Sequence, residues 1–405
     1  MKLWLRIATV LTVGLAWAAS TAQAQDDSKI RTEIYGFVMM DAGKQQSAMD
    51  PAWFDVQRPT KLEAFHNEFG KKGKGDVFFS VRQTRFGIRN WFPTDMGDLK
   101  TTFEWELFGT GVDAGQTTLR LRHAYGELGK FGAGQTWSPF MDIDVFPNTL
   151  EYWGPNGMAF FRNVQIRYMP IQGDTRLTIA LERPGASADQ GDFSDRFAQT
   201  NVQGHFPLPD VSAEYRMGRP WGYLELAGIA RQIEWIDTTT TFPNLDGDAF
   251  GWGLSLSSNI KAGPKNVLRL QLVHGEGIEN YMNDAPADVG VEFDPADTLQ
   301  PIDGKPLPMT GAVAFLDHTW SDRFSSSFGY SQLVIENSNG QSDDAFHLGQ
   351  YALANLLYTP VPKVMAGVEA GWIKRENNSD GFSSENWHVQ VSFKYSFSTM
   401  LGGGQ

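Results

Sequence analysis

The chain contains no cysteine. This absence excludes a disulfide framework, a thiolate nucleophile and any Cys-ligated zinc or iron–sulfur site. Basic charge is also scarce, since 34 Lys and Arg face 47 Asp and Glu for a formal net charge of −13. Such an acidic balance argues against nucleic-acid binding through phosphate neutralisation. After the N-terminal segment, no apolar run reaches the roughly 18 residues of a membrane-spanning helix. The sequence therefore excludes a helical membrane protein.

The first 24 residues have the layout of a secretory signal peptide. Lys2 and Arg6 form a basic start, residues 7–19 are apolar, and Ala22-Gln23-Ala24 is a small-residue cleavage site. The apolar stretch is shorter than the ~20 residues of a membrane anchor. We therefore expect residues 1–24 to be removed before Gln25, which leaves an exported chain with a net charge of −15.

The remaining sequence alternates between apolar and polar residues. The clearest segment is 387–397, where Trp, Val, Phe and Tyr occupy every odd position and His, Gln, Ser and Lys every even one. A period of two places all apolar side chains on one face of a β-strand. Weaker alternation recurs at 99–107, 119–122, 164–168, 176–182, 250–257, 268–272 and 364–372. The pattern predicts an all-β protein built from amphipathic strands.

Aromatic residues lie near the ends of these strands. They are Trp105, Tyr125, Tyr168, Tyr215, Tyr358, Trp372, Tyr395 and Phe397. A soluble sandwich would have to pack them repeatedly in a core ~10 Å thick, whereas a membrane barrel places them in girdles at the two interfaces. We therefore predict a transmembrane antiparallel β-barrel whose apolar face meets lipid and whose polar face lines water.

The number of segments agrees with a closed barrel. We expect sixteen strands, near 30–41, 77–89, 98–109, 117–128, 130–137, 162–169, 174–183, 208–217, 221–235, 248–260, 265–276, 310–320, 322–334, 346–359, 363–376 and 385–397. Bacterial barrels have an even number of strands. Which residues face the lumen stays open at 77–89, where Arg82 and Arg85 fall on opposite faces of a regular strand, and at 221–235 and 310–334. The barrel is expected over 25–397, with residues 398–405 as a C-terminal tail.

The linker 138–161 is unusually apolar for a surface loop. It contains three acids, Asp142, Asp144 and Glu151, and no base. Because buried loops must pack somewhere, we predict that it folds into the lumen as a constriction loop. By strand phase a basic wall faces it, formed by Arg85, Arg120, Arg122, Arg167, Arg176 and Arg269. Acids opposite arginines would create a transverse field across the pore.

Several motifs resemble the DcaP-like porins of Gram-negative outer membranes. They are Gln83-Thr84-Arg85-Phe86-Gly87, Leu119-Arg120-Leu121-Arg122-His123-Ala124-Tyr125-Gly126, the run from Ala133 to Asp142, and Asn355-Leu356 with Pro360, Gly367 and Glu369. The resemblance spans Tyr35 to Phe397 and implies a sixteen-stranded homotrimeric channel whose arginine-bearing constriction favours small anions such as dicarboxylates. The last strand resembles the signal read by the barrel assembly machinery.

Two features depart from that family. Only residues 25–29 precede the first strand, so we expect no coiled-coil stalk. Eight residues follow Phe397, where the assembly signal usually ends the chain. The register of that signal is therefore left open.

Enzymatic alternatives find little support in the sequence. No His-Glu-x-x-His or Gly-x-Ser-x-Gly motif occurs. Ser338-Asn339-Gly340 is similar to part of an outer-membrane phospholipase motif, but Glu336 stands where that motif has its histidine. We predict no catalysis, no cofactor and no metal, and we expect His123 and Tyr125 to face the interface or the aromatic girdle and not a ligand.

The sequence thus predicts a porin for small anionic or zwitterionic solutes in contact with outer-membrane lipid and lipopolysaccharide. Two alternatives remain. One is a non-conducting structural or adhesion barrel, and the other is an outer-membrane phospholipase.

Overall fold

The computed structural model describes residues 30–195, 197, 202–239 and 245–402. The predicted signal peptide, residues 1–24, lies outside the described residues, as do residues 403–405 of the predicted tail. No helix within the described ranges is long and apolar enough to cross a membrane.

The described chain is a succession of β-strands joined by turns and loops. The strands are β1 (Arg31–Gln45), β2 (Val77–Ser80), β3 (Arg85–Thr94), β4 (Gly97–Phe108), β5 (Thr117–Leu128), β6 (Phe131–Trp137), β7 (Arg162–Ile171), β8 (Arg176–Glu182), β9 (Ala188–Asp189), β10 (Gln203–His205), β11 (Asp210–Arg219), β12 (Gly222–Ile236), β13 (Gly247–Lys261), β14 (Asn266–Glu276), β15 (Val289–Phe293), β16 (Ile302–Pro306), β17 (Pro308–Thr319), β18 (Phe324–Ile335), β19 (Phe346–Val361), β20 (Val364–Asn377) and β21 (Ser383–Gly402).

Sixteen wall strands close into an antiparallel barrel, which confirms the predicted fold. The wall closes where β1 pairs with β21 on one side and with β2 and β3 on the other. Because β2 and β3 both pair with β1, they form one wall strand in two pieces. In the same way β10 and β11 both pair with β12. Strands β9, β15 and β16 form a separate small sheet.

The two faces of the wall have opposite character. On β21, Val389 and Val391 are 54% and 42% exposed on the outside, whereas Gln390 and Ser392 are buried on the inside. The alternation in sequence therefore corresponds to lipid-facing and lumen-facing side chains. The break between β2 and β3 resolves the ambiguous phase at 77–89, because both Arg82 and Arg85 point inward and contact lumen carboxylates.

Short turns lie at one end of the barrel and long loops at the other. Residues 129–130, 220–221 and 362–363 make tight turns, while 46–76 and 138–161 are long. In outer-membrane barrels the short turns are periplasmic. Ser398–Gly402 extend β21 at this end and do not form a separate tail, because Arg31–Tyr35 of β1 offer them a pairing edge.

A β-bulge in β5 corrects the prediction for His123 and Tyr125. The register between β4 and β5 shifts at Glu104 and Trp105, so that Arg122 and His123 both turn inward. His123 and Tyr125 consequently line a lumen cavity together with Arg85 and Arg122, and neither faces a girdle. Strict alternation cannot detect such a bulge.

Candidate pore constriction

The segment between β6 and β7, residues 138–161, folds into the barrel. It leaves the wall after Trp137 and returns at Arg162. Its apolar side chains pack against the inner wall, and Phe140, Val145, Leu150 and Met158 are completely buried. Burial of these residues explains why a loop this apolar is stable inside a water-filled lumen.

Asp142 fixes the first part of the loop to the wall. Its carboxylate accepts hydrogen bonds from Arg216 Nη2 at 2.6 Å, Tyr223 Oη at 2.6 Å and Ser257 Oγ at 2.7 Å. It is 1% exposed. Asp144 also pairs with Arg216, at 2.5 Å, but its side chain is 49% exposed. Asp144 therefore presents charge to the lumen, whereas Asp142 is an anchor.

Glu151 fixes the second part of the loop. Its carboxylate accepts the backbone N–H groups of Gln57 and Trp153 at 3.3 and 2.8 Å and the Tyr351 hydroxyl at 3.1 Å. Burial and the neighbouring carboxylate of Glu369 raise the pKa of Glu151 to about 8. The shift favours the uncharged form of Glu151, which anchors the loop to its surroundings.

Two further segments narrow the lumen beside the loop. Residues 277–288 pair with it through Phe160 N to Tyr281 O and Asn283 N to Met158 O, both at 2.8 Å. Residues 46–62 contribute Arg58, whose guanidinium carbon lies 4.2 and 4.0 Å from two tryptophan ring centroids. These rings belong to Trp53 and Trp153. Three segments therefore shape the opening.

Four arginines of the wall converge beside the loop. This arginine cluster consists of Arg85, Arg120, Arg122 and Arg162, which line one cavity of about 550 Å³. Arg122 donates to Glu104 Oε1 and to Glu106 Oε2, both at 2.7 Å. Arg85 Nη2 is 3.2 Å and Arg120 Nη1 is 3.6 Å from carboxylate oxygens of Glu106. Three arginines thus share two carboxylates.

Arg162 has no carboxylate partner among the described residues. Its guanidinium lies over the rings of Trp137 and Phe160, at 4.7 and 5.8 Å from their centroids. Arg162 Nη1, Arg120 Nη1 and Arg85 Nε are buried and lack a hydrogen-bond acceptor in the described part of the chain. Within the cluster itself, four cations against two carboxylates leave an excess of two positive charges.

The other predicted arginines lie elsewhere in the lumen. Arg269 Nε pairs with Asp317 at 2.6 Å, and Arg176 pairs with Glu214 and Glu225 at 3.1 and 3.0 Å. Arg269 lines a second cavity, of about 620 Å³, together with Asp144, Arg216, Arg219 and Lys261. Arg167 instead donates to Gln165 Oε1 at 3.0 Å. The structure therefore brings Arg85, Arg120 and Arg122 together and separates the remaining three.

Sequence reasoning missed Arg58, Arg162 and Arg216. Arg162 is the first residue of β7, so its place at the return of the constriction loop was a usable signal. Arg216 follows the inward phase of β11, so strand alternation was a usable signal for it. Arg58 lies in a loop and could be identified only from contacts distant in sequence.

Other candidate chemistry is not assembled in the described residues. They contain no group of three His, Asp or Glu residues arranged to hold a metal. Ser338 is buried and donates its hydroxyl to the Val291 carbonyl at 2.6 Å. That hydrogen bond ties the loop after β18 to β15, which is a structural role.

The sequence profile of the DcaP outer membrane protein family matches residues 24–397. The chain belongs to this family. Among solved structures, it is similar to the outer membrane channel DcaP of Acinetobacter baumannii, with 20% identity, a TM-score of 0.77 and coverage of 93% of this chain and 100% of that one. This match and the barrel confirm the expected resemblance to DcaP-like channels.

More distant barrels share the fold of this DcaP family member. The anion-selective porin from Comamonas acidovorans matches at 10% identity and a TM-score of 0.56, covering 91% of this chain and 100% of that one. The trimer form of OmpT from Vibrio cholerae matches at 11% identity and 0.53, again covering 91% and 100%. No curated protein matches the chain. The family and these neighbours are outer-membrane channels and porins.

Proposed function

We propose that this DcaP family member is a homotrimeric diffusion channel of the outer membrane that prefers small anions, dicarboxylates among them. The observation that carries the proposal is the charge imbalance of the arginine cluster: three of its guanidinium groups share Glu104 and Glu106, and the fourth, that of Arg162, has no carboxylate partner among the described residues. Three buried N–H groups there have no acceptor among the described residues. An anion at this point would supply the missing acceptors.

Passage requires binding that is favourable enough for entry and weak enough for release. An anion that reaches the narrow part of the lumen loses part of its hydration, and the N–H groups of Arg120 and Arg162 replace those water contacts. Cations are repelled by the same excess charge. A second cavity, which shares Ile143 and Phe146 of the loop with the first, is lined by Arg216, Arg219 and Arg269, so basic side chains are present in both cavities.

The exposed acid of the loop completes the proposed constriction. Asp144 faces the second cavity and pairs with Arg216. The resulting opposition of charges orients solutes with a dipole, which supports passage of zwitterions as well as anions. No step of this process makes or breaks a covalent bond, and the proposal includes no enzyme activity, metal or cofactor.

The direct test combines selectivity with solute uptake. Arg120→Ala together with Arg122→Ala should raise single-channel conductance and reduce anion selectivity in planar bilayers. Liposomes containing the wild-type channel should swell faster in succinate than in a neutral sugar of equal size. An unchanged reversal potential in the double variant would contradict the assignment of these arginines, and absence of conductance would favour a structural or adhesion barrel.

Export and surroundings form part of the same proposal. We expect the signal peptide to be cleaved before Gln25 and the barrel assembly machinery to insert the chain beside lipid and lipopolysaccharide. A lipid-hydrolysis assay tests the phospholipase alternative, and the buried hydroxyl of Ser338 predicts a negative result.

A further inference from the structure

A buried carboxylate lines the same cavity as the arginine cluster. Glu279 lies in the short turn that follows β14 and is 1% exposed. It borders the cavity of about 550 Å³ that Arg120 and Arg162 also line. Both oxygens of its carboxylate are buried and have no hydrogen-bond partner among the described residues. A buried polar group in this state has acceptor capacity that only a molecule in the cavity can use.

The segment that carries Glu279 is acidic. Residues 277–288 contain three acids and no base. The other two acids, Asp284 and Asp288, each pair with an arginine, at 2.8 and 2.9 Å. Within the described part of the chain, Glu279 is thus the acid of this segment that lacks a basic partner.

The surroundings of Glu279 favour a cation beside it. Arg231 is shared between Asp210 at 3.0 Å and Asp288 at 2.9 Å, so this neighbouring network keeps one negative charge. Asp288 also accepts the backbone N–H of Asn280, the residue after Glu279, at 2.9 Å. Burial and the Asp288 carboxylate raise the pKa of Glu279 well above its ordinary value. In the empty cavity the acid therefore favours its uncharged form, and an incoming cation would favour the carboxylate.

The turn with Glu279 lies beside the start of β7. The backbone N–H of Phe160 donates to the Tyr281 carbonyl at 2.8 Å, and the rings of Phe161 and Tyr281 are 4.9 Å apart. Arg162 directly follows Phe161, and Glu279 is two residues before Tyr281. A cation and an acid, each without an ion-pair partner among the described residues, therefore lie on adjoining segments of one cavity. Its volume falls within the roughly 300–1,000 Å³ typical of small-molecule sites.

We propose that this cavity binds solutes that carry both a carboxylate and an ammonium group, such as α-amino acids, with Glu279 as the acceptor for the ammonium group. The inference rests on the diffusion channel of the proposed function and adds a solute class and the residue that selects it. The solute carboxylate accepts N–H groups of Arg120 and Arg162. Its ammonium group donates to Glu279, which releases its proton to the water of the lumen. Hydrogen bonds between ionised groups of this kind are the strong ones.

An ammonium group suits this acid better than a metal ion does. Calcium takes about 6–8 oxygen ligands, and the described residues contain no group of three His, Asp or Glu arranged to hold a metal. Ammonium needs only hydrogen-bond acceptors. Asp144, the exposed acid of the constriction loop, already pairs with Arg216. Glu279 is therefore the acid best placed to distinguish solutes with an amine from those without one.

L-Aspartate and succinate test the inference because they differ by one ammonium group. Single-channel recordings of the full-length protein in planar bilayers measure how long each solute interrupts the current. Glu279→Gln should shorten the residence of aspartate about tenfold or more, as expected for the loss of a hydrogen bond between charged groups. The residence of succinate should be unchanged or longer. Glu276→Gln is the matched control, because Glu276 is a partly buried acid on β14 that does not line this cavity.

The comparison of the two solutes decides between the possible roles of Glu279. Equal changes for both solutes, or none for either, would overturn the inference. A shorter residence of succinate alone would also overturn it, because Glu279 would then donate its proton to a second carboxylate. Glu279→Leu, an apolar replacement of similar size, provides a second variant if Glu279→Gln does not fold, with the same expected outcome. A wild-type protein without any KCl conductance would instead refute the proposed function itself.

Discussion

Arg162 offers the cleanest perturbation of the proposed anion filter. Arg122 is bound to Glu104 and Glu106, so its removal would leave buried carboxylates without a partner. Among the described residues, the Arg162 guanidinium lies over two aromatic rings and forms no ion pair with a carboxylate. Arg162→Gln should therefore remove one charge and leave the remaining hydrogen bonds of the cluster intact. The local excess falls from two positive charges to one.

The size of the effect follows from Coulomb's law. At about 7 Å in water, one unit charge changes the free energy of a monovalent ion by ~0.6 kcal/mol. Anions lose this stabilisation and cations lose an equal repulsion, so the anion-to-cation permeability ratio should fall by ~1.2 kcal/mol, or about eightfold. A divalent anion should be affected about twice as strongly as a monovalent one.

Reversal potentials in a KCl gradient at low ionic strength measure this ratio. The Debye length shrinks to about 3 Å at 1 M salt, so the difference should largely disappear there. Arg31→Gln is the control, because Arg31 is an exposed residue at the short-turn end that pairs with Asp98. A reversal potential that is the same in Arg162→Gln and wild type at low salt would refute the reasoning.

Three further changes test the loop anchors and the membrane face. Glu151→Gln should remove the pH dependence of current noise. Burial raises the pKa of Glu151 to about 8, so in the wild type the stabilisation from the bound proton is lost as the pH rises from the ordinary pKa of a glutamate through about 8. The current noise of the wild type should therefore increase up to pH 9. Equal noise increases in both proteins would count against this role. Asp142→Ala removes the acceptor of three hydrogen bonds and should cost about 3–5 kcal/mol and increase current fluctuations, whereas Asp142→Asn keeps one acceptor oxygen and should lose less in thermal unfolding. Leu254→Arg, on the lipid face midway along β13, should destabilise the barrel by ~2–4 kcal/mol in urea unfolding from vesicles, against ~0–1 for Thr310→Arg near the long-loop end.

The barrel itself was predictable because the alternation of apolar and polar residues is a local property of the sequence. Each wall strand exposes apolar residues at every second position, so 387–397 alone indicates which side chains meet lipid. The inward course of 138–161 was also predictable, since Phe140 and Leu150 could not remain in water. Alternation failed where the strand geometry changes, at the break between β2 and β3 and at the bulge near His123.

The contacts inside the lumen were not predictable from one sequence. Glu151 meets Glu369 and Tyr351, which are about 200 residues away along the chain. Strand phase places Arg120 and Arg269 on the inside but does not reveal which carboxylate each one meets. The local sequence of 46–62 also does not reveal that Trp53 packs on Trp153. Pairing across a barrel depends on register around the whole circumference, and local patterns do not contain it.

The anchors of the constriction loop have a consequence for how the selectivity of the channel can evolve. Between the anchors Asp142 and Glu151, only Asp144 and Asn148 are exposed. Replacing them would alter the chemistry that a passing solute meets while the backbone outline of the opening stays the same. Natural mutation and laboratory redesign would then act on the same few positions. The same loop backbone could support channels with selectivity for different nutrients.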